Sequence, residues 1–235
     1  MLRISSTMPI YTANVTSKNC IKSVTFKGKQ VPEEIVIRPG QEIPEIIKAK
    51  KVIIKGEYHH WIVAKDTKII CETCELEHAM FKEINASKSA TLSKESRVNV
   101  LNTNDWASIS LSSVGKINAK GRVCMQWMAS ADEVNAGEIL MINSRVKSLT
   151  TEKTADLSDS KVKILTSPAV KMSNQSEVEN LSADYLHAED STVKSGVVKK
   201  SIYKCNSAIN VKCNDIYDDT FSKSLRELQA SECNR

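Results

Sequence analysis

Two cysteines and three histidines lie close enough in the sequence to suggest a metal site. Cys71 and Cys74 form a Cys-x-x-Cys pair, and His78 follows after three intervening residues. This spacing lets two thiolates hold one zinc ion across a turn, and His59 or the adjacent His60 would complete a tetrahedral set. A single Cys-x-x-Cys pair is a weak signal, and buried thiols beside surface histidines would give the same pattern. Zinc is the one cofactor that the sequence suggests, and its candidate ligands are Cys71, Cys74, His78 and His59.

No residue pattern fixes a catalytic reaction. The sequence has no Gly-x-Ser-x-Gly nucleophile turn, no glycine-rich phosphate loop and no His-Glu-x-x-His pair. The fourth histidine, His187, stands beside Glu189 and Asp190, but local sets of this kind are usually solvated surface. The absence of a βαβ pattern argues against a redox role for the cysteine pair. We therefore favour a protein that is not an enzyme.

The middle of the chain alternates apolar and polar residues in short bursts, as at residues 97–100 (Arg-Val-Asn-Val) and 161–164 (Lys-Val-Lys-Ile). A period of two is typical of strands with one buried face. The bursts recur about every eight residues, as at Val162, Val170 and Val178. A strand-and-turn unit repeated at this spacing predicts a parallel β-solenoid in which about three units form one coil.

A β-sandwich or another all-β fold is the alternative interpretation. Hairpins usually turn through Asn-Gly, Asp-Gly or Gly-Gly pairs, and the sequence has none of them. The bursts are also shorter than typical sandwich strands.

Trp106 falls eight residues after Val98 and is expected to pack in the core or against a coil end. Residues 176–189 also fit an amphipathic helix, so helix and strand both stay open there. We predict a right-handed parallel β-helix over residues 50–200.

The two ends of the chain lack the regular alternation of the middle. Residues 1–49 contain short strand-like runs at 21–26 and 35–37, and turn signals follow them. Residues 41–51 fit either a short helix or an extended segment. Residues 201–235 end in a pattern that places Phe221, Leu225 and Leu228 on one helical face. We expect this short C-terminal helix to cap the open end of the solenoid, which would otherwise invite edge pairing.

Acidic residues supply the enzymatic alternative. Solenoid enzymes that act on polysaccharides use aspartate clusters on one face of the coil, and paired carboxylates are the groups that cleave glycosidic bonds. Asp156 and Asp184 are separated by about one expected coil repeat, which would place them in stacked coils. Charge-balanced turns would explain the same residues.

The positive charge of the chain is concentrated near its start. The 235 residues carry a formal net charge of +5. Residues 1–65 contain 11 lysines and arginines against 5 acidic residues, whereas the remainder contains 22 against 23. This segment could bind an anionic surface such as phospholipid headgroups. Nucleic acid is not expected as a partner, because no aromatic residues interleave with the basic ones.

The sequence lacks the signals of classical export and membrane insertion. Residues 1–15 have no apolar stretch of the kind a secretory signal needs. No run of about 18 apolar residues occurs, so no transmembrane segment is expected. The 7 cysteines are spread along the chain and suggest free thiols in a reducing compartment. We expect a cytoplasmic location, or export by a route without a classical signal peptide.

The bursts RVNVL, SISL, KINAKGRV, KVKIL and AVKM resemble the β-helix repeats of bacterial proteins of the filamentous-haemagglutinin and bactofilin types. The resemblance covers roughly the middle half of the chain and implies a parallel β-helix. The haemagglutinin type implies secretion and adhesion, and the bactofilin type implies a cytoplasmic polymer built by end-to-end stacking. Neither resemblance supplies catalytic residues.

These observations favour a non-enzymatic β-solenoid that acts as a binding, adhesion-like or scaffold surface. Its expected partner is a protein or a glycan, and self-association would suit the scaffold role. The first alternative is a carbohydrate-active β-helix enzyme that uses acidic residues on one coil face. The second is an anionic-surface binder that acts through residues 1–65.

Overall fold

The computed structural model describes residues 31–213 and 215–218, and these residues form strands and turns without any helix. The structure contains fifteen strands. Their bounds are β1 Glu34–Ile37, β2 Ile46–Lys48, β3 Lys51–Lys55, β4 Ile62–Glu77, β5 Ala79–Ser93, β6 Arg97–Thr103, β7 Trp106–Ser110, β8 Ser113–Gln126, β9 Ser130–Ile142, β10 Arg145–Ser158, β11 Lys161–Ser173, β12 Glu177–Glu189, β13 Thr192–Cys205, β14 Ala208–Ile209 and β15 Asp215–Asp218.

Every pair of these strands is parallel, and each strand pairs with the strands one coil before and one coil after it. In one column of the register Val146 pairs with Val162, Val162 with Val178 and Val178 with Val193. The chain therefore forms a parallel β-solenoid of about 11 turns. This confirms the solenoid prediction, and the all-parallel pairing shows that the β-sandwich alternative is wrong.

The coil is shorter than the sequence suggested. The register repeats every 15 to 17 residues, so two of the eight-residue units form one coil and not three. Val162, Val170 and Val178 are all buried, but Val170 belongs to another register column, in which it pairs with Ala155 and Leu186. Trp106, which was expected to pack in the core or against a coil end, instead points outward and is 40% exposed.

Breaks in the alternation divide each coil into straight segments around a narrow apolar core. In β11 the buried apolar residues are Val162, Leu165, Val170 and Met172, and equivalent residues of other coils stack above and below them. Lys163 and the adjacent Ile164 both face outward, which marks a corner. Two such corners and the turn that links one coil to the next give three straight segments per coil.

The turn that links successive coils, here named the closing turn, has a left-handed backbone. All twelve non-glycine residues with positive φ among the described residues lie in these turns. In the later coils they include Asn143, Asp159, Asn174, Asp190 and Asn206. Asparagine and aspartate tolerate this conformation better than other residues with a Cβ atom, which explains their frequency here.

A buried serine follows most closing turns and ties neighbouring coils together. The Ser160 hydroxyl donates to the Ser158 carbonyl (2.8 Å) and accepts the Ser144 amide (3.2 Å). The Ser160 amide in turn donates to Ser176 Oγ (3.3 Å). Ala129 occupies the same position in its own coil. This serine ladder satisfies amides that turn away from the parallel sheets.

The remaining sequence predictions have mixed outcomes. Residues 176–189 are not a helix, because β12 covers Glu177–Glu189. The run at 35–37 lies in β1, and residues 41–51 are extended. The strand expected at 21–26 and the helix expected around Phe221–Leu228 lie outside the described residues. The described part of the chain contains no helix long and apolar enough to cross a membrane.

Candidate binding groove

Four asparagine side chains form a ladder along the outside of the solenoid. The Asn102 amide donates to Asn85 Oδ1 (2.8 Å), the Asn118 amide to Asn102 Oδ1 (2.8 Å) and the Asn135 amide to Asn118 Oδ1 (3.2 Å). The four residues are direct partners in the strand register. Because neighbouring strands lie about 4.8 Å apart, the register brings identical carboxamides within hydrogen-bonding distance.

The ladder leaves part of its hydrogen-bonding capacity unused. A carboxamide has two N–H donors and two acceptor lone pairs. Within the ladder Asn102 and Asn118 each donate once and accept once. Each therefore retains one N–H and one lone pair. All four side chains are half-buried, so these groups are held in place and still reachable.

The ladder forms one wall of a groove that runs along the solenoid axis. The groove has a volume of about 700 Å³. Besides the asparagines, its lining includes the small buried residues Ala86, Thr103, Ala119 and Ala136 and the exposed residues Asn104, Lys120 and Glu152. The lining extends from Ile70 to Thr150, which is five coil steps in the register and roughly 24 Å.

Ion pairs fix both ends of the ladder. Lys68 bonds to Glu83 (2.8 Å) and Lys116 to Glu133 (2.8 Å). The hydrogen bond from Lys68, joined by one from the Asn85 amide, lowers the pKa of Glu83. Lys116 and the Asn135 amide lower the pKa of Glu133 in the same way. Both carboxylates are therefore ionised and neutralised at pH 7, and the groove is nearly neutral.

The fold separates the four candidate zinc ligands into two groups. Cys71 and Cys74 are buried on either side of one corner, where burial and a hydrogen bond with Cys71 raise the pKa of the Cys74 thiol. His78 follows the far end of β4, four residues and roughly 13 Å beyond Cys74. His59 lies in the loop between β3 and β4, so it is near His78 and remote from the thiols.

His59 and His78 belong to an aromatic cluster at the closing-turn corner. The Tyr58 ring contacts His59 (4.8 Å between centroids) and lies 6.1 Å from His78. Trp61 lies 6.1 Å from His78 on another side. Within residues 31–213 and 215–218 no group of three or more histidine, cysteine or acidic side chains could hold a metal ion. The zinc site stays a prediction.

The acidic residues proposed for catalysis do not stack. Asp156 pairs in the register with Leu140 and Lys171, whereas Asp184 falls at a register shift and lies 3.4 Å from Lys199. Asp156 and Asp184 are separated by 28 residues, whereas the coil repeats at about 16 residues, so the two side chains do not share a register column. His187 does approach Glu189 (3.2 Å), on an exposed face.

The anionic-surface prediction for residues 1–65 stays a prediction. Residues 1–30 lie outside the described part of the chain. In the remainder, Lys50 pairs with Glu33 (2.6 Å) and Lys51 with Glu75 (3.1 Å). Those two lysines are therefore neutralised locally.

The asparagine ladder was not found from the sequence. Its signal is the spacing of Asn85, Asn102, Asn118 and Asn135, which alternates between 17 and 16 residues. Such a spacing has meaning only once the coil length is known, and we expected a coil of about three eight-residue units.

No protein-family model, no curated protein and no solved structure matches this chain significantly. The fold and the groove alone therefore define its class: a parallel β-solenoid with a polar groove along its axis.

Proposed function

We propose that this protein is a non-enzymatic binding solenoid whose groove holds an extended, uncharged glycan along the asparagine ladder. The observation that carries the proposal is the row of carboxamides with unused donors and acceptors, repeated once per coil. A sugar hydroxyl both donates and accepts a hydrogen bond, so it matches the pair of groups that Asn102 and Asn118 each retain.

The shape and charge of the groove support an extended neutral ligand. A groove of roughly 24 Å along the axis suits several linked sugars lying parallel to the axis. Lys120 and Glu152 are the charged residues that line it, and their charges cancel. A polyanion such as nucleic acid would find no row of cations here.

Coil stacking does not by itself require the carboxamides. The same column continues beyond Asn135 with Thr150, Thr166, Ser182 and Val197, and the solenoid persists without amides there. The amides are confined to the part of the column that lines the groove. This coincidence supports a role in binding in addition to coil-to-coil hydrogen bonding.

The test is a glycan array followed by calorimetry with the glycan that binds best. We expect Asn102→Val and Asn118→Val to lose most of the affinity, while both fold, because valine occurs in this column at Val197. Thr166→Val and Ser182→Val are matched controls outside the groove and should bind as the unmodified protein does.

Three results would refute the proposal. The first is that no neutral glycan binds, and the second is that the valine variants of the ladder bind as well as the controls. The third is release of reducing sugar from the bound glycan, which would return the carbohydrate-active enzyme to consideration.

A further inference from the structure

Three residues in two neighbouring closing turns are apolar, whereas every other non-glycine residue with positive φ in the described part of the chain is polar. Leu111, Trp127 and Met128 have φ values of 49°, 54° and 62°. Asparagine or aspartate occupies such positions in most later turns. The Leu111 amide donates to the Trp127 carbonyl (3.2 Å), so these residues lie on neighbouring coils of one ridge.

These residues combine an unfavourable backbone conformation with exposed apolar side chains. The left-handed conformation costs roughly 1–2 kcal/mol for a residue with an ordinary side chain. Leu111, Trp127 and Met128 are 43%, 62% and 70% exposed, so a large part of their apolar surface faces the solvent. Ile142, at the end of β9, extends the apolar surface and is 36% exposed. Strained and exposed apolar residues that cluster in this way indicate a binding surface.

Two arginines border this apolar ridge. Arg97 and Arg145 belong to one column of the register, and Ser113 and Ser130 separate them, so they lie roughly 14 Å apart. Neither forms an ion pair with a described residue, although Arg97 lies 5.7 Å from the Trp61 ring. Acidic residues lie in the closing turns on both sides of the ridge: Glu95 one coil before Leu111 and Asp159 one coil after Asn143.

We propose that the ridge inserts into the surface of a membrane that contains anionic lipids. Tryptophan is enriched at the boundary between headgroups and acyl chains, and cationic side chains beside it bind anionic headgroups. The ridge is convex because it consists of turns. Its four side chains are too few for a stable protein interface, which needs about 800 Å² from each partner, whereas lipid insertion gains from each buried methylene group.

The experiment uses the full chain and vesicles of phosphatidylcholine with and without phosphatidylserine. We expect co-sedimentation with the mixed vesicles, a blue shift of tryptophan emission and quenching by brominated acyl chains. The double variant Trp127→Asn/Met128→Gly should lose more than about tenfold in partitioning. Arg145→Gln should lose about fivefold, and only on anionic vesicles. Trp106→Asn, which removes a tryptophan exposed on another face, should bind normally.

Each contrary result would overturn the proposal in a recognisable way. Absence of binding to both kinds of vesicle would reject it outright. If the double variant still binds vesicles, the membrane binding would be attributed to the basic residues 1–65 and not to the ridge. A dimer of the unmodified protein that the double variant lacks, seen by light scattering without lipid, would show that a second copy covers the ridge.

Discussion

Replacing Ser160 by alanine removes a hydroxyl that bonds in two directions inside the solenoid. The residue is 0% exposed. Its hydroxyl donates to the Ser158 carbonyl and accepts the Ser144 amide. The Ser158 carbonyl keeps a second donor, the Asn143 amide (3.0 Å). The Ser144 amide, in contrast, loses the acceptor that the serine ladder gives it.

The size of the effect follows from this unpaired amide. A buried donor left without an acceptor costs about 1–3 kcal/mol, so we expect Ser160→Ala to lower the free energy of unfolding by about 2 kcal/mol. In a chain of this size that corresponds to a fall in melting temperature of roughly 4–8 °C. Ala129 occupies the position that serine holds in most other coils. Ala129→Ser would therefore give the Ser112 amide an acceptor and should stabilise the protein by about 1 kcal/mol.

Urea unfolding combined with amide hydrogen exchange provides the measurement. Repeat proteins open locally, so the exchange rate of the Ser144 amide reports the broken bond directly and should rise. Ser148→Ala, on the outside of the coil that contains Ser144, is the control. The reasoning is refuted if Ser160→Ala is no more destabilising than this control and leaves exchange at Ser144 unchanged.

Two further predictions concern close packing and charge. A Cβ atom at Gly121 would lie 1.9 Å from the Asp105 carbonyl oxygen, so Gly121→Ala should cost about 1–3 kcal/mol in urea unfolding; Lys120→Ala, at the exposed neighbouring position, should cost less, and equal losses would contradict the clash. The pKa of Glu177 is lowered from its ordinary value of 4.5 by hydrogen bonds from two lysines, so its stabilising effect is complete above that pH and disappears as the pH falls through the lowered pKa. The melting temperature of Glu177→Gln should therefore lie below that of the unmodified protein at pH 7 and approach it in acid, whereas a difference independent of pH would disprove the role of the charge.

Hydrophobic alternation was sufficient to predict the class of fold. Val162, Val170 and Val178 keep the period of a half-buried strand, and the absence of hairpin-forming glycine pairs favoured parallel coils. The coil length could not be obtained in this way. A corner such as Lys163-Ile164 places two exposed residues in succession, and the sequence alone does not distinguish such a corner from the end of a strand.

The groove and the apolar ridge could not be predicted without the coil length. Asn85 and Asn102 are distant in sequence, and only the register of β5 and β6 makes them neighbours. The Cys71–Cys74 pair was conspicuous because metal sites are recognised by local spacing, but both thiols face the core. Local spacing draws attention to residues that are close in sequence, whereas the residues that line the groove are related through the coil repeat.

Because the register is regular, the gain or loss of one coil's residues during evolution would change the length of the solenoid and leave the fold intact. Residues 161–176 form one coil, with Val162 between Val146 and Val178. Loss of this block would join Ser160 to Glu177, keep the serine ladder continuous and shorten the molecule by about 4.8 Å. Duplication would lengthen it by the same step. Gene segments of about 16 codons could therefore be gained or lost as whole units, and the reach of the exposed faces could change while the fold stayed the same.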